Sequence, residues 1–315
     1  MIRLYQKGQS AVYKIAGPVD WDIISGLIWI DLQNPPVEEI VEIEKFFNIN
    51  IPTRLQQEEI ESSSRYTETD DCIIANSTFL QADEDLRFEN IHVSFVLKGD
   101  LLVTYREGLL RSFAECVKKI KTNHKPFVSG RMILLALFET RVDFDADLIE
   151  NISRKISIIS KQLTNDHIPE AGLLKEITTY QESSMHLREN IIDKQRVISS
   201  LLRSGEFIED EKERLRIVLR DINSLIEHTN FLFERLEYLQ NTFLGLVNID
   251  QNKIIKIFTV VTLVLMPPTL IASLYGMNFK FIPELNWVFG YPFAIGLMIS
   301  SSVLALIFFK KQKWL

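Results

Sequence analysis

At 315 residues, with 46% apolar side chains and a formal net charge of −7, the chain has room for one large or two ordinary domains. The acidic balance offers no nucleic-acid signal, and two cysteines, Cys72 and Cys116, 44 positions apart and without a CxxC partner, argue against a disulfide framework and a cysteine-rich metal site. They suit a reducing compartment and read as small core residues.

In chain order, the first twenty residues, MIRLYQKGQSAVYKIAGPVD, hold no apolar core that could lead a large segment across a membrane. LIWIDL reads as a strand, and Pro35-Pro36 open an amphipathic helix, VEEIVEIEKFF. CIIANSTFL, HVSFVL and LLVTYR read as further strands, the last two joined at Lys98-Gly99-Asp100. The acidic run Asp83-Glu84-Asp85 lies between the first two of these. Residues 1–140 therefore form an α/β domain. From about residue 131 the pattern is helical, broken near Ile168-Pro169 and Ser204-Gly205, with no proline between Pro169 and Pro267. Asp143, Asp145 and Asp147 are read as acids at a helix start, where the dipole favours them.

Residues 141–253 form a stalk of long helices. The last runs without a breaker from about Glu206, and Leu215, Leu219, Ile222, Ile226, Thr229, Phe233, Leu236, Leu239, Phe243 and Leu246 recur at steps of three and four as its packed face. Continued to Tyr275 it would have 70 residues and a length of roughly 105 Å. A soluble coiled-coil spacer would show the same periodicity.

Residues 257–275 and 287–309 contain no charge, and as helices these 19 and 23 residues would be roughly 28 and 34 Å long, the thickness of a bilayer core. Two membrane spans, 254–275 and 287–309, are the primary reading; two buried core helices of a soluble protein are the alternative. Lys253 and Lys256 precede the first span and Lys310, Lys311 and Lys313 follow the second, in the basic tail 310–315. The loop 276–286 carries only Lys280 and Glu284. Both termini are therefore expected on the cytoplasmic side of a cell or inner membrane. The lysines have two readings, a positive collar that takes part in gating, or a topology signal in contact with lipid headgroups.

One stripe of the first span gathers every serine and threonine in it. Ser273, Thr269, Met266, Thr262 and Thr259 step by four and three, and the same step continued backwards reaches Ile255, Asn252, Asn248, Gly245 and Asn241. A lone membrane threonine usually bonds its own backbone. A whole stripe of neutral polar groups needs either a tightly packed small-residue interface or a water-filled pathway. Two spans enclose no channel, so a pore would require several copies around a symmetry axis, the first spans inside and the second outside. The second span is apolar around most of its circumference, with Ser300-Ser301-Ser302 its one polar cluster and Trp287, Tyr291 and Trp314 placed as interfacial anchors.

Tyr275-Gly276-Met277-Asn278 followed by Pro283-Glu284-Leu285, Met266-Pro267 in the span before, and the terminal KKQKWL resemble the CorA family of magnesium and cobalt transporters. The order of domains and the length are similar too. The resemblance implies a homopentamer with a funnel of long helices, a pore lined by the first span, and Gly276-Met277-Asn278 at its outer mouth, with Gly276 ending the helix and Asn278 as the filter. It implies pore positions at Thr269, Met266, Thr262, Ile255 and Asn252, with Met266 and Ile255 as apolar constrictions. Asn241 falls where some members carry an acid. Mg²⁺ is implied both as the transported ion and as a regulatory ion between cytoplasmic domains, for which Asp221 and Asp83, Glu84 and Asp85 are the candidate ligands.

No other cofactor is implied. The five histidines, His92, His124, His167, His186 and His228, are scattered, and no Gly-rich phosphate loop appears, so neither an enzyme nor coupling to ATP is expected. The leading function is influx of Mg²⁺, with Co²⁺ and Ni²⁺ as further cargo. A related Zn²⁺ transporter, proton-coupled in one form, and a membrane-anchored scaffold or sensor are the alternatives.

Overall fold

The computed structural model describes residues 2–8, 12–15, 21, 24, 26–58, 65–82, 88–165, 171–278, 280 and 282–312. They fall into two compact units. The first comprises the described residues up to Thr164 and from Ala171 to Leu239; the second runs from Gln240 onward.

The first unit is built on a seven-stranded sheet of β1 (Ile2–Gln6), β2 (Val12–Ile15), β3 (Leu27–Gln33), β4 (Tyr66–Glu68), β5 (Ile73–Ala82), β6 (Phe88–Lys98) and β7 (Leu101–Arg106). Its order is β2-β1-β3-β7-β6-β5-β4. The β3/β7 pair is parallel, with Ile30 opposite Val103, and the other pairings are antiparallel. The central strand β3 is buried on both faces, which is why it reads as a nearly continuous apolar run. Gly99, at φ +56, makes the β6/β7 turn, a backbone region that glycine enters without steric cost.

Alternation along β3 divides its contacts between the two faces. Ile30 and Leu32 join Ile2, Leu4, Val96 and Val103 beneath helix α1 (Val37–Phe47), which adds Ile43. Trp29 turns to the other face, stacked on Tyr5 at 4.7 Å between ring centroids. There Phe113 of α3 (Arg111–Thr122) and Phe138 of α4 (Gly130–Asn165) pack on Phe79 and Phe95. A short helix, α2 (Arg54–Glu58), precedes β4. The outcome is the expected α/β architecture, a sheet between helical layers. Strands β1, β2 and β4, and helices α2 and α3, were not singled out in the sequence.

Helix α4 begins where Gly130 lies against the β6/β7 turn, its N–H donating to the Asp100 carbonyl at 2.6 Å. A Cβ at this position would stand 2.4 Å from the Leu102 nitrogen. Gly130→Ala is therefore expected to destabilise the protein by about 2 kcal/mol or more through overpacking, read as a lowered thermal midpoint.

Two long helices follow, α5 (Ala171–Arg203) and α6 (Glu209–Tyr275), the latter 67 residues without interruption. Helix α6 opens on Glu209, Asp210 and Glu211, acids that complement its N-terminal dipole, and Glu211 also accepts from the Ile208 N–H. Its packed face differs from the expected one. Glu211, Leu215, Val218, Ile222, Leu225, Thr229, Leu232, Leu236, Leu239 and Phe243 are buried, whereas Leu219 and Ile226 are half-buried and Phe233 is exposed. Apolar pairs stand at 218/219, 225/226 and 232/233, so periodicity allows two adjacent stripes, and the neighbouring helices select one.

The three aspartates at 143, 145 and 147 require a second correction. They do not start a helix but lie in the middle of α4, which begins thirteen residues earlier. Asp145 is fully buried, paired with Arg141 one turn away and with Lys194 of α5 at 3.1 Å. Burial pushes its pKa up, but the two cations outweigh burial and hold the carboxyl below the ordinary carboxylate range. Lys194 is also fully buried; desolvation, aided by Arg141, outweighs the attraction of Asp145 and lowers its pKa to about 8.

Candidate transport site

The second unit contains the lower part of α6, a 3₁₀ turn Pro283–Asn286, and α7 (Gly290–Lys311). Helices α6 and α7 each include a segment long and apolar enough to cross a membrane, and only 6% and 11% of those segments are buried. Core helices of a soluble protein would be covered; these are not.

The two helices meet along narrow faces. On α6, Val260 is buried and Val264, Pro267, Pro268, Ile271 and Tyr275 are half-buried; on α7, Gly290, Ala294, Met298, Ser301, Ser302, Ala305 and Phe309 form the complementary row. Small residues stand at five of these α7 positions, the residue type that helix contacts in lipid favour.

The hydroxyl stripe lies on the other side of α6. Thr262 and Met266 are each two residues from Val264, about 200° around the helix. Asn241, Asn252, Ile255, Thr259, Thr262, Met266, Thr269 and Ser273 are all exposed in the single chain. Thr259, Thr262 and Thr269 donate to the carbonyls of Ile255, Phe258 and Leu265 at 2.7–2.8 Å. Each thus makes the self-bond expected of an isolated membrane threonine. That bond uses the hydroxyl hydrogen and leaves the oxygen's remaining lone pairs as acceptors.

Helix α6 ends at Tyr275, and Gly276 and Met277 continue with N–H bonds to Ala272 and Leu274 carbonyls at 2.9 and 3.4 Å. Gly276 is not among the described glycines of positive φ, so no left-handed cap ends the helix there. A Cβ there would stand 3.1 Å from the Ala272 oxygen, the acceptor of its own N–H. Asn278 follows, exposed. The 3₁₀ turn is seated on α7 through Gly290, where a Cβ would come within 2.2 Å of the Glu284 oxygen. This close approach was not anticipated from the sequence, although a Gly just after Trp287-Val288-Phe289 is its one visible sign.

Residues 25–311 match the model of the CorA-like Mg²⁺ transporter protein family. The chain belongs to this family. It is 40% identical over 297 residues to the magnesium transport protein CorA of Wolinella succinogenes, covering 92% of each chain. It is 38% identical to the protein of the same name from Campylobacter jejuni, over the whole of both chains. The solved complete structure of the CorA magnesium transporter from Methanocaldococcus jannaschii has the same fold, with a TM-score of 0.83 over 100% of this chain and 99% of that one at 20% identity.

The remaining candidate residues of the CorA-like chain are less gathered. Lys253, Lys256, Lys310 and Lys311 are exposed, while Lys313 and the anchor Trp314 lie outside the described residues, as do Asp83, Glu84 and Asp85. Asp221 is exposed on α6. It acts on Asp143 of α4, whose pKa is raised by partial burial and then by Glu139, Asp147 and Asp221, against the pull of Lys119. Among the described residues of one chain, no group of three or more acidic, histidine or cysteine side chains forms a metal site.

Proposed function

We propose that this chain is the subunit of a homopentameric transporter that passes Mg²⁺, and with it Co²⁺ and Ni²⁺, into the cell through a pore lined by α6. The observation that carries this reading is the stripe itself. From Asn241 to Ser273 every member is exposed on the side of α6 away from α7 and leads to Gly276-Met277-Asn278. The magnesium transport named for the relatives agrees with it.

The chemistry suits a hydrated ion. Mg²⁺ holds six oxygens tightly and gives up water reluctantly, so a pore passes it most readily by contacting its water shell. Metal-bound waters are donors, and the stripe offers acceptors: threonine oxygens whose own hydrogens are already engaged, and asparagine carbonyls. Neutral oxygens attract the hydrated ion without holding it too long to leave. Met266 and Ile255, on the same stripe, are apolar rings at which the pore closes by dewetting. Tyr275, Trp287 and Tyr291 lie toward the outer interface, and the lysines keep both termini cytoplasmic and contact inner headgroups. A negative interior then favours influx of a divalent ion by about 4.6 kcal/mol per 100 mV.

Cytoplasmic Mg²⁺ closes the transporter in this reading. Asp221, exposed on α6, is the candidate ligand among the described residues, with Asp83, Glu84 and Asp85 as the others, and a complete ligand set would need a second subunit. Loss of the ion would loosen the closed assembly.

The test is uptake by proteoliposomes holding the purified protein. Mg²⁺ uptake that follows the membrane potential and ignores a pH gradient is expected. Flux of Zn²⁺ alone, driven by protons, would replace this reading with the zinc one, and no flux of any divalent ion would leave a scaffold or sensor.

A further inference from the structure

Pro267 and Pro268 stand inside α6, and a proline has no N–H to donate. In an α-helix the carbonyl at position i accepts from the N–H at i+4, so the pair withholds the ladder donors from Leu263 and Val264. In a bilayer no water replaces them, and another protein group must.

The structure supplies one donor from the second span. Ser302 Oγ of α7 donates to the Val264 carbonyl at 3.2 Å. The two serines before it behave differently: Ser300 and Ser301 donate to Leu297 and Met298, carbonyls of their own helix, at 3.0 and 2.8 Å. Ser302 thus turns outward to the carbonyl that Pro268 leaves without its ladder partner. The prolines also separate Met266 from Thr269, so the weakened ladder is level with two members of the exposed stripe.

We propose that Ser302 is a positioning residue of the pore: its hydroxyl stands in for the missing Pro268 donor, and this bond between the spans holds the α6 turn that aims Met266 and Thr269. The role in conduction rests on the transport reading above, whereas the bond itself does not. Without the hydroxyl, the Val264 carbonyl is unsatisfied in an apolar setting and the turn rearranges to find another donor, misaligning the stripe. The mouth at Asn278 is untouched.

Restoring the backbone donor makes the test specific. In Pro268→Ala the ladder bond to Val264 returns, so Ser302 loses its task. Ser302→Ala in the otherwise unchanged protein should lower maximal Mg²⁺ uptake about threefold, the effect of one interhelical hydrogen bond in a membrane, and the thermal midpoint in detergent by about 2 °C. The Mg²⁺ concentration at half-maximal uptake should stay the same. Ser302→Thr, which keeps the hydroxyl, should retain both. In the Pro268→Ala background Ser302→Ala should change neither, giving a non-additive cycle.

Equal effects of Ser302→Ala in both backgrounds would mean that the serine only packs, and would overturn the proposal. No effect on uptake in a transporting protein would overturn it as well. If the unchanged protein carries no Mg²⁺ but the midpoints still form a non-additive cycle, the bond stands and the transport reading falls.

Discussion

Asn278→Ala is expected to lower Mg²⁺ uptake at least tenfold while leaving the assembly and its thermal midpoint unchanged. Asn278 is exposed just beyond the end of α6, so its truncation removes no core contact. In the proposed assembly it removes from every copy an amide carbonyl that can accept hydrogen bonds from water bound to the ion. A tenfold loss corresponds to about 1.4 kcal/mol at the limiting step, a modest demand on a ring of such bonds. The measurement is initial uptake across a range of Mg²⁺ concentrations, with size-exclusion chromatography to verify the oligomer. Full uptake by the variant would reduce Asn278 to a turn residue. A loss of uptake together with a loss of assembly would move its role from ion contact to folding.

The second large effect lies in the first unit. Asp145→Asn should destabilise the protein by about 3–5 kcal/mol, the penalty for breaking a buried ion pair. Arg141 and Lys194 are almost completely buried on either side of the carboxylate, and both lie over the Phe79 ring, at 5.5 and 5.6 Å. Without Asp145 two neighbouring cations remain out of water with one fewer counter-charge. Denaturant or thermal unfolding of the full protein in detergent measures the loss, and a change below 1 kcal/mol would mean that water or a rearranged Asp193 replaces the carboxylate.

The pH dependence of the same cluster has a definite sign. Because the folded protein holds Asp145 below its ordinary pKa of 3.8, the stability it contributes is present at neutral pH and is lost as pH falls through and below that value. Asp145→Asn should flatten this acid limb. Lys194 acts in the other direction: between its folded pKa of about 8 and its ordinary 10.5 the unfolded chain binds more protons, so stability gains from rising pH across that window. Removing Asp145 takes away the attraction that supports the ammonium, and the window should open at lower pH.

The contrast between Asp145 and the membrane spans explains what could be read in advance. Residues 257–275 announce themselves because length and absence of charge are local properties, and the hydroxyl stripe follows from a fixed angle of 100° per residue. Neither depends on what lies beside the helix. Asp143, Asp145 and Asp147 look alike in the chain, yet one is buried between cations and the others flank it on solvent-accessible positions. That difference comes from Lys194, 49 positions away. The choice of Val218, Leu225 and Leu232 over Leu219, Ile226 and Phe233 has the same origin, since both sets are apolar at helical spacing.

The sheet shows the division again. β5, β6 and β7 are neighbours in sequence and in space and are visible as a meander with a glycine turn, whereas the parallel β3/β7 pairing joins segments about 70 positions apart. At the candidate site, Asn278, the stripe and the two prolines are all plain in the sequence, and so is the loss of a donor to Val264. That Ser302, rather than Ser300 or Ser301, answers it depends on how α7 lies on α6. Local order therefore determined the spans and the stripe of this protein, because helix geometry and side-chain polarity suffice to define them. The buried charge cluster, the chosen face of α6 and the bond between the spans were decided only by tertiary structure, because each needs a partner that the chain brings back from far away.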